Sequence, residues 1–257
     1  MNIKLVACDL DRTLIEGTFL LPEVKELLVK LPKKGIKFVI NSGRHLEDIL
    51  NILSQSKLNY PQGYPEAIIS NHGISIHYLA GKGYTADKEW NEKREEELAI
   101  LRQEIGWRGK LWEKIIEEKL GIIPEDKFID YGVFTISFKS DQEAEKVRQV
   151  LLKENNFKYT TFIRNKHFLS VGLTTALKGK SLVRVAKHFK IKPSQVLAIG
   201  DSQNDEEMLN GNFGFIPAAP SNAEERIKTL VKANCGYVAS QPNGIGVVEI
   251  VTLLLTD

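Results

Sequence analysis

The chain has 257 residues, 42% hydrophobic and 26% charged, with 35 Lys and Arg against 33 Asp and Glu. Those values sit near the globular average and exclude disorder, a collagen-like repeat and a disulfide scaffold, since Cys8 and Cys235 alone cannot staple a fold. A formal charge of +2 leaves no nucleic-acid footprint, and no apolar run approaches a membrane span, so a soluble, cytoplasmic protein of one or two domains is expected.

Residues 3–8 form a short apolar run that ends at Asp9 and predict a buried strand with no secretory leader before it. Pro22 and Glu23, followed by Val24, Leu27, Leu28 and Leu31, predict a helix with proline in its first turn. Residues 37–40 predict a second strand, entered through Gly35. Leu46, Ile49, Leu50 and Leu53 share one helical face, and residues 67–69 predict a third strand. Strand and helix alternating over short connections predict a parallel sheet covered on both sides.

From residue 81 to 173 the texture changes. Residues 89–120 are dense in Glu, Lys and Arg, with Trp90, Trp107 and Trp112 spaced through them, and predict a long helix. The Trp residues are read as packing groups. Residues 133–138 alternate as an antiparallel strand does, 141–152 read as a helix, and 160–171 read as a hairpin turning at Arg164-Asn165-Lys166. Acidic and basic residues balance across this stretch, which argues against a nucleic-acid clamp. The α/β rhythm then returns, with helices over 177–189, 223–231 and 247–255, a helix starting at 206, and strands over 196–199 and 213–216. The domain reading is therefore a sheet domain of residues 1–80 and 174–257 carrying an α+β insert of residues 81–173.

Four polar clusters fall at predicted strand exits or helix starts. Asp9-Leu10-Asp11-Arg12-Thr13 follows the first strand; carboxylates at i and i+2 can share a cation, or they can cap the next helix. Asn41-Ser42-Gly43-Arg44 follows the second, where a hydroxyl, a glycine and free helix N–H groups suit a phosphate or form an ordinary N-cap. Lys178-Gly179 puts a cation in the first turn of a helix, against its dipole. Gly200-Asp201-Ser202-Gln203-Asn204-Asp205 follows another strand and reads as a cation site or a capped polar loop. In an open α/β sheet such clusters converge on one edge. That edge would hold several carboxylates, a hydroxyl and a Lys, a set that suits Mg²⁺ with a phosphoryl group.

Taken in order, Asp9-x-Asp11-x-Thr13, Ser42-Gly43-Arg44, Lys178-Gly179 and Gly200-Asp201-Ser202-x-Asn204-Asp205 resemble the haloacid dehalogenase superfamily of phosphohydrolases. The insert resembles the type IIB cap of Cof-type and sucrose-phosphatase-like sugar phosphatases. The resemblance implies a Rossmann-like core with a C2-type cap that sets substrate specificity. It implies Asp9 as nucleophile, and Asp11 as general acid for the leaving alcohol and base for the attacking water. Ser42, Gly43 and Lys178 would bind the phosphoryl group. Mg²⁺ would be held by Asp9, the Asp11 carbonyl and Asp201, with Asn204 and Asp205 close by, and Thr13 would steady the loop. Arg44 and Asn71 are candidate substrate contacts, as are the polar residues of the 164–167 turn.

Two positions depart from that pattern: Arg12 stands where the family most often has Gly, and His72 where the Cof-type pattern reads Asn. The expected activity is Mg²⁺-dependent hydrolysis of a small phosphorylated metabolite of the sugar-phosphate class, by a monomer or weak homo-oligomer. A phosphomutase, a nucleotide-sugar glycosyltransferase and a non-catalytic metal- or phosphate-binding module are the other readings of the same residues.

Overall fold

Successive residues of a strand face opposite sides of its sheet, and in this chain both sides are apolar. The computed structural model, which describes residues 2–58, 61, 63–130, 133–155 and 157–255, shows where those faces go. The first elements are β1 (Leu5–Cys8), α1 (Pro22–Lys30), β2 (Lys37–Asn41), α2 (Leu46–Gln55), β3 (Ala67–Ser70), β4 (Ser75–Ala80) and β5 (Gly83–Ala86). There follow α3 (Lys88–Leu120), β6 (Asp126–Asp130), β7 (Val133–Ser137), α4 (Asp141–Glu154), β8 (Thr160–Asn165) and β9 (Phe168–Leu173). The last are α5 (Lys178–His188), β10 (Val196–Ile199), α6 (Glu206–Leu209), β11 (Ile216–Ala219), α7 (Glu225–Ala233), β12 (Tyr237–Val238) and α8 (Asn243–Leu255). No described helix is long and apolar enough to cross a membrane.

The chain divides into two compact units, Met1–Asn91 with Lys178–Asp257, and Glu92–Leu177. In the first, eight strands run in the order β12-β11-β10-β1-β2-β3-β4-β5. Pairing is parallel from β12 to β3 and antiparallel from β3 to β5. Val6, Phe38, Ile40, Leu197 and Ile199 pack on one face with Val24 and Leu28 of α1, Ile49 and Leu53 of α2, and Ile250 of α8. Leu5, Ala7, Val39, Ile69 and Val196 pack on the other with Leu182 and Val185 of α5 and Ile227 of α7. Each buried Leu, Ile or Val contributes about 1.5–3 kcal/mol, so the two layers hold the sheet from both sides.

Register then places the polar clusters. Cys8 stands opposite Ile40 of β2 and Ile199 of β10, so Asp9, Asn41 and Gly200 are the next residues of three adjacent strands. Ser42 N–H donates to the Ile69 carbonyl at 2.9 Å, which adds the exit of β3 to the same edge.

Two features of this sheet differ from the sequence expectation. The β4–β5 hairpin extends it by antiparallel strands; the reversal turns on Gly81, whose φ of +57° suits a tight hairpin. The strand expected over 213–216 instead begins at Ile216. Gly211 and Gly214 both have positive φ, and Gly214 N–H donates to the Gly211 carbonyl, so 211–214 is a turn. Pro217 lies inside the strand and disguises it, since proline cannot donate to a ladder.

The second unit is a four-stranded antiparallel sheet in the order β6-β7-β9-β8. Trp112 of α3 is buried and meets the Phe162 ring of β8 edge-on, with centroids 5.2 Å apart. Arg164 of β8 turns to Glu145 of α4 at 2.9 Å and donates to the Lys166 carbonyl, which closes the 164–167 turn. In the first unit Trp90 is partly buried, donates through Nε1 to the Gly73 carbonyl and packs against the core. The side chain of Trp107 lies outside the described residues.

Candidate active site

The site grows from the end of β1. Asp9 N–H donates to the Ile199 carbonyl of β10 at 2.9 Å, which carries the strand pairing one residue further and fixes the backbone at this carboxylate. Asp9 is 4% exposed, Asp201 2% and Asp205 fully buried. Oxygens of all three carboxylates lie within 4.8 Å of one another.

Lys178 enters this cluster from the first turn of α5. Its Nζ donates to Asp9 Oδ1 at 2.5 Å and to Asp205 Oδ1 at 2.6 Å. The other oxygen of Asp205 accepts from the backbone N–H groups of Asp201 (2.9 Å) and Ser202 (3.1 Å). Asp205 therefore folds the loop back on itself, and Gly200 is required beside it, because a Cβ there would lie 2.5 Å from the Asp205 side chain. Thr13 donates its hydroxyl to Asp201 at 3.3 Å and so ties the loop after β1 to the loop after β10.

Three buried carboxylates face one ammonium. Burial raises the Asp9 carboxyl well above the ordinary range, and the charges of Asp205 and Asp201 add to this against the pull of Lys178. Burial works to lower Lys178, but Asp205 and Asp9 outweigh it and hold the amine charged far above neutrality. The surplus of negative charge, offered by oxygen donors within reach of a common point, fits a hard divalent cation such as Mg²⁺.

A second group lies across the exits of β1 and β2. Asp11 is gripped by the Arg44 guanidinium in a two-bond fork, Nε to Oδ2 at 2.8 Å and Nη2 to Oδ1 at 2.7 Å. Ser42 is fully buried, and its Oγ accepts the Arg44 N–H at 3.1 Å. His72 N–H donates to the Ser42 carbonyl, Asn71 N–H donates to the Arg44 carbonyl, and the His72 ring lies on Gly43. A Cβ at Gly43 would fall 2.3 Å from that ring, so this glycine and this histidine fit only as a pair. Asn71 and His72 both have φ near +54°, a conformation costing non-glycine residues on the order of 1–2 kcal/mol each. Asn71 Oδ1 is paired with His45 Nδ1 at 2.5 Å, so this amide is committed to the loop.

Arg12 has φ +61°, which explains the family preference for Gly there. Its half-exposed side chain approaches Asp201 Oδ2 to 3.7 Å, and its carbonyl accepts from Asn222 Nδ2 at 2.8 Å. The Asn204 Oδ1 accepts from Ser202 Oγ at 2.7 Å. Of the residues singled out from sequence, Asp9, Lys178, Asp201 and Asp205 are brought together. Asp11, Ser42, Gly43, Arg44 and Asn71 form the adjoining group.

Sequence reasoning assigned nothing to Asn41, His45, Glu207 and Asn222. Glu207 Oε2 accepts from the N–H groups of Gly179 and Lys180 at 3.0 and 3.1 Å and so caps α5, offsetting the cation in its first turn. Asn41 had a visible signal, an amide closing an otherwise apolar strand. The others depend on which loops meet.

The chain is similar to known phosphatases. The family model described as sucrose-6F-phosphate phosphohydrolase matches residues 2–252. A phosphoglycolate phosphatase of Staphylothermus marinus is 25% identical, covering 98% of each chain. A phosphatase of Bacillus subtilis is 25% identical over 90% of this chain and 94% of its own. Among solved structures, the Synechocystis sucrose-phosphatase, determined with sucrose and phosphate, superposes with a TM-score of 0.69 at 15% identity, covering 98% of this chain and 97% of its own. A haloacid dehalogenase-like hydrolase of B. subtilis gives 0.67 at 19% identity over 98% and 100%.

Proposed function

Since the chain belongs to the sucrose-6F-phosphate phosphohydrolase family of haloacid dehalogenase-like phosphatases, we propose that it hydrolyses a small phosphomonoester, in the sugar-phosphate class, through an aspartyl-phosphate on Asp9. The observation that carries this reading is the buried Asp9–Lys178–Asp205 ion triad, with Asp201 beside it, at the carboxyl edge of a parallel sheet.

In this reading an Asp9 oxygen forms a bond to phosphorus as the ester P–O bond breaks, and Asp11 delivers a proton to the departing alkoxide. A water then attacks the phosphorus, Asp11 takes its proton, and inorganic phosphate leaves with the Asp9 carboxylate restored. Arg44 holds Asp11 in place by the two-bond fork, which must loosen for the carboxyl to carry a proton. Ser42 and Lys178 offer donors to the phosphoryl oxygens, with Gly43 leaving room for them. Asp9, Asp201 and the Asp11 carbonyl would hold Mg²⁺, with Asp205 and Asn204 shaping the loop that presents Asp201. The cation, when bound, supplies charge neutralisation for the phosphoryl group. The unit Glu92–Leu177 would choose the leaving group, as caps of this family do.

The test is phosphate release from a panel of sugar phosphates, sucrose 6-phosphate, phosphoglycolate and p-nitrophenyl phosphate, with Mg²⁺ or EDTA. Release that needs Mg²⁺ and is lost in Asp9→Asn is the expected result. The ranking separates the sugar-phosphate class from the phosphoglycolate named for the Staphylothermus relative. No release from any ester by folded, Mg²⁺-binding protein overturns the proposal.

A further inference from the structure

Lys178 must present its ammonium to two carboxylates from a helix start, where the main-chain N–H groups lack intrahelical partners and the dipole opposes a cation. Its side chain is long and has several rotatable bonds, so the ammonium is placed only as well as the Lys178 main chain is fixed. That main chain is held across the sheet by Asn41. The Asn41 Nδ2 donates to the Lys178 carbonyl at 2.9 Å, joining residues 137 positions apart in sequence. Ser181 Oγ donates to the same carbonyl at 3.1 Å from within α5. Asn41 is the last residue of β2, directly before Ser42, so one residue connects the Ser42 loop with the Lys178 helix.

Asn41 is fully buried, and its Oδ1 has no hydrogen-bond partner among the described residues. The second contact of its Nδ2 is the Met208 sulfur at 3.8 Å, a weak acceptor. A half-satisfied amide in an apolar layer destabilises the fold relative to a small apolar residue. The rest of β2 is Lys37-Phe38-Val39-Ile40, whose last three residues are buried and apolar, so packing alone does not call for an amide at the fifth position.

Resting on the phosphatase reading above, we infer that Asn41 is a positioning residue, which sets Lys178 against Asp9 and in register with Ser42. It touches neither substrate nor cation and acts through the Lys178 main chain.

Two substitutions test this, Asn41→Leu, which removes the donor at similar volume, and Asn41→Asp, which keeps the shape but offers an acceptor to the carbonyl. The first readout is steady-state hydrolysis of p-nitrophenyl phosphate with Mg²⁺. Displacement of Lys178 is expected to lower kcat by about 10- to 100-fold, with KM within about threefold. The second readout needs no turnover: acetylation of lysines by acetic anhydride, read by mass spectrometry. Lys178 is 1% exposed and shielded by its two carboxylates, and its labelling is expected to rise severalfold in both variants with the other lysines unchanged. Wild-type kcat in both variants, or reduced kcat with Lys178 labelling at the wild-type level, overturns the inference. Should the wild-type protein release no phosphate from any ester, the phosphatase reading fails, and the labelling alone decides whether Asn41 holds Lys178. A general rise in labelling of all lysines marks loss of fold and also counts against the positioning role.

Discussion

Asp201 adds a third buried carboxylate to those of Asp9 and Asp205. Lys178 is ion-paired with Asp9 and Asp205, while the half-exposed Arg12 guanidinium approaches Asp201 to 3.7 Å, so the three carboxylates outnumber the buried cation among the described residues. Removing one charge therefore relieves this crowding and, in the proposed reading, removes a cation ligand at once. Asp201→Asn is expected to raise stability in EDTA by about 1–3 kcal/mol, read by urea denaturation. The wild type should gain about 2.7 kcal/mol at a Mg²⁺ concentration 100-fold above its dissociation constant, and the variant should not. A Mg²⁺-dependent gain kept in Asp201→Asn would remove this residue from the ligand set. The two positions that depart from the family pattern have separate explanations. Arg12 occupies a left-handed backbone position that glycine takes without strain, and its half-exposed side chain approaches the buried Asp201 to 3.7 Å. His72 covers Gly43, a contact invisible until β2 and β3 are side by side.

Elements hold these residues through their ends. Helix α3 begins at an Asp87 carboxylate that caps the Trp90 N–H at 3.2 Å and receives a two-bond fork from Arg184 of α5 at 2.8 and 2.9 Å. Tyr78 of β4 donates its hydroxyl to the same group. Burial works to raise the Asp87 carboxyl, but the Arg184 and Trp90 donors outweigh it and leave the carboxyl below its ordinary value. A carboxyl depressed by folding stabilises above its unfolded pKa near 3.9, and this contribution is lost as pH falls through the lower folded value. Asp87→Asn is therefore expected to cost about 1–3 kcal/mol at pH 7. The gap from wild type should close below about pH 4 in denaturation curves. A gap that stays constant down to pH 3 would show that shape, not charge, matters at this junction. The 206–209 helix was expected from sequence and is a single turn, since Asn210 and the Gly211 turn stop it.

Across the whole molecule, two hydrophobic layers enclose the parallel sheet, and the unit Glu92–Leu177 buries apolar side chains of its own, Leu101, Trp112, Ile116 and Phe162 among them. In that unit the Trp112–Phe162 contact joins the long helix to the sheet. Trp112→Ala is expected to cost about 3–5 kcal/mol through the cavity it leaves. Hydrogen-exchange mass spectrometry should show protection lost over residues 92–177 and kept in β1, β2 and β10. Equal loss in both regions would mean that the two units unfold as one.

The strand runs 3–8, 37–40, 67–69 and 196–199 were legible because a strand buried on both faces is apolar at every position. For the same reason the clusters that follow stood out, since carboxylates, a hydroxyl and a lysine interrupt apolar runs at strand exits. Order along the chain then sufficed for the family. The hairpin β4–β5 was not legible, because half-exposed, short strands carry little pattern, and Pro217 concealed β11. Nor could the sequence pair Arg44 with Asp11, place Asn204 on Ser202, or show Asn41 reaching Lys178. Local patterning is written in neighbouring residues and survives as a pattern in one dimension. Which side chains share a hydrogen bond across 33 or 137 positions is set by strand order and register, and these exist only once the sheet is assembled.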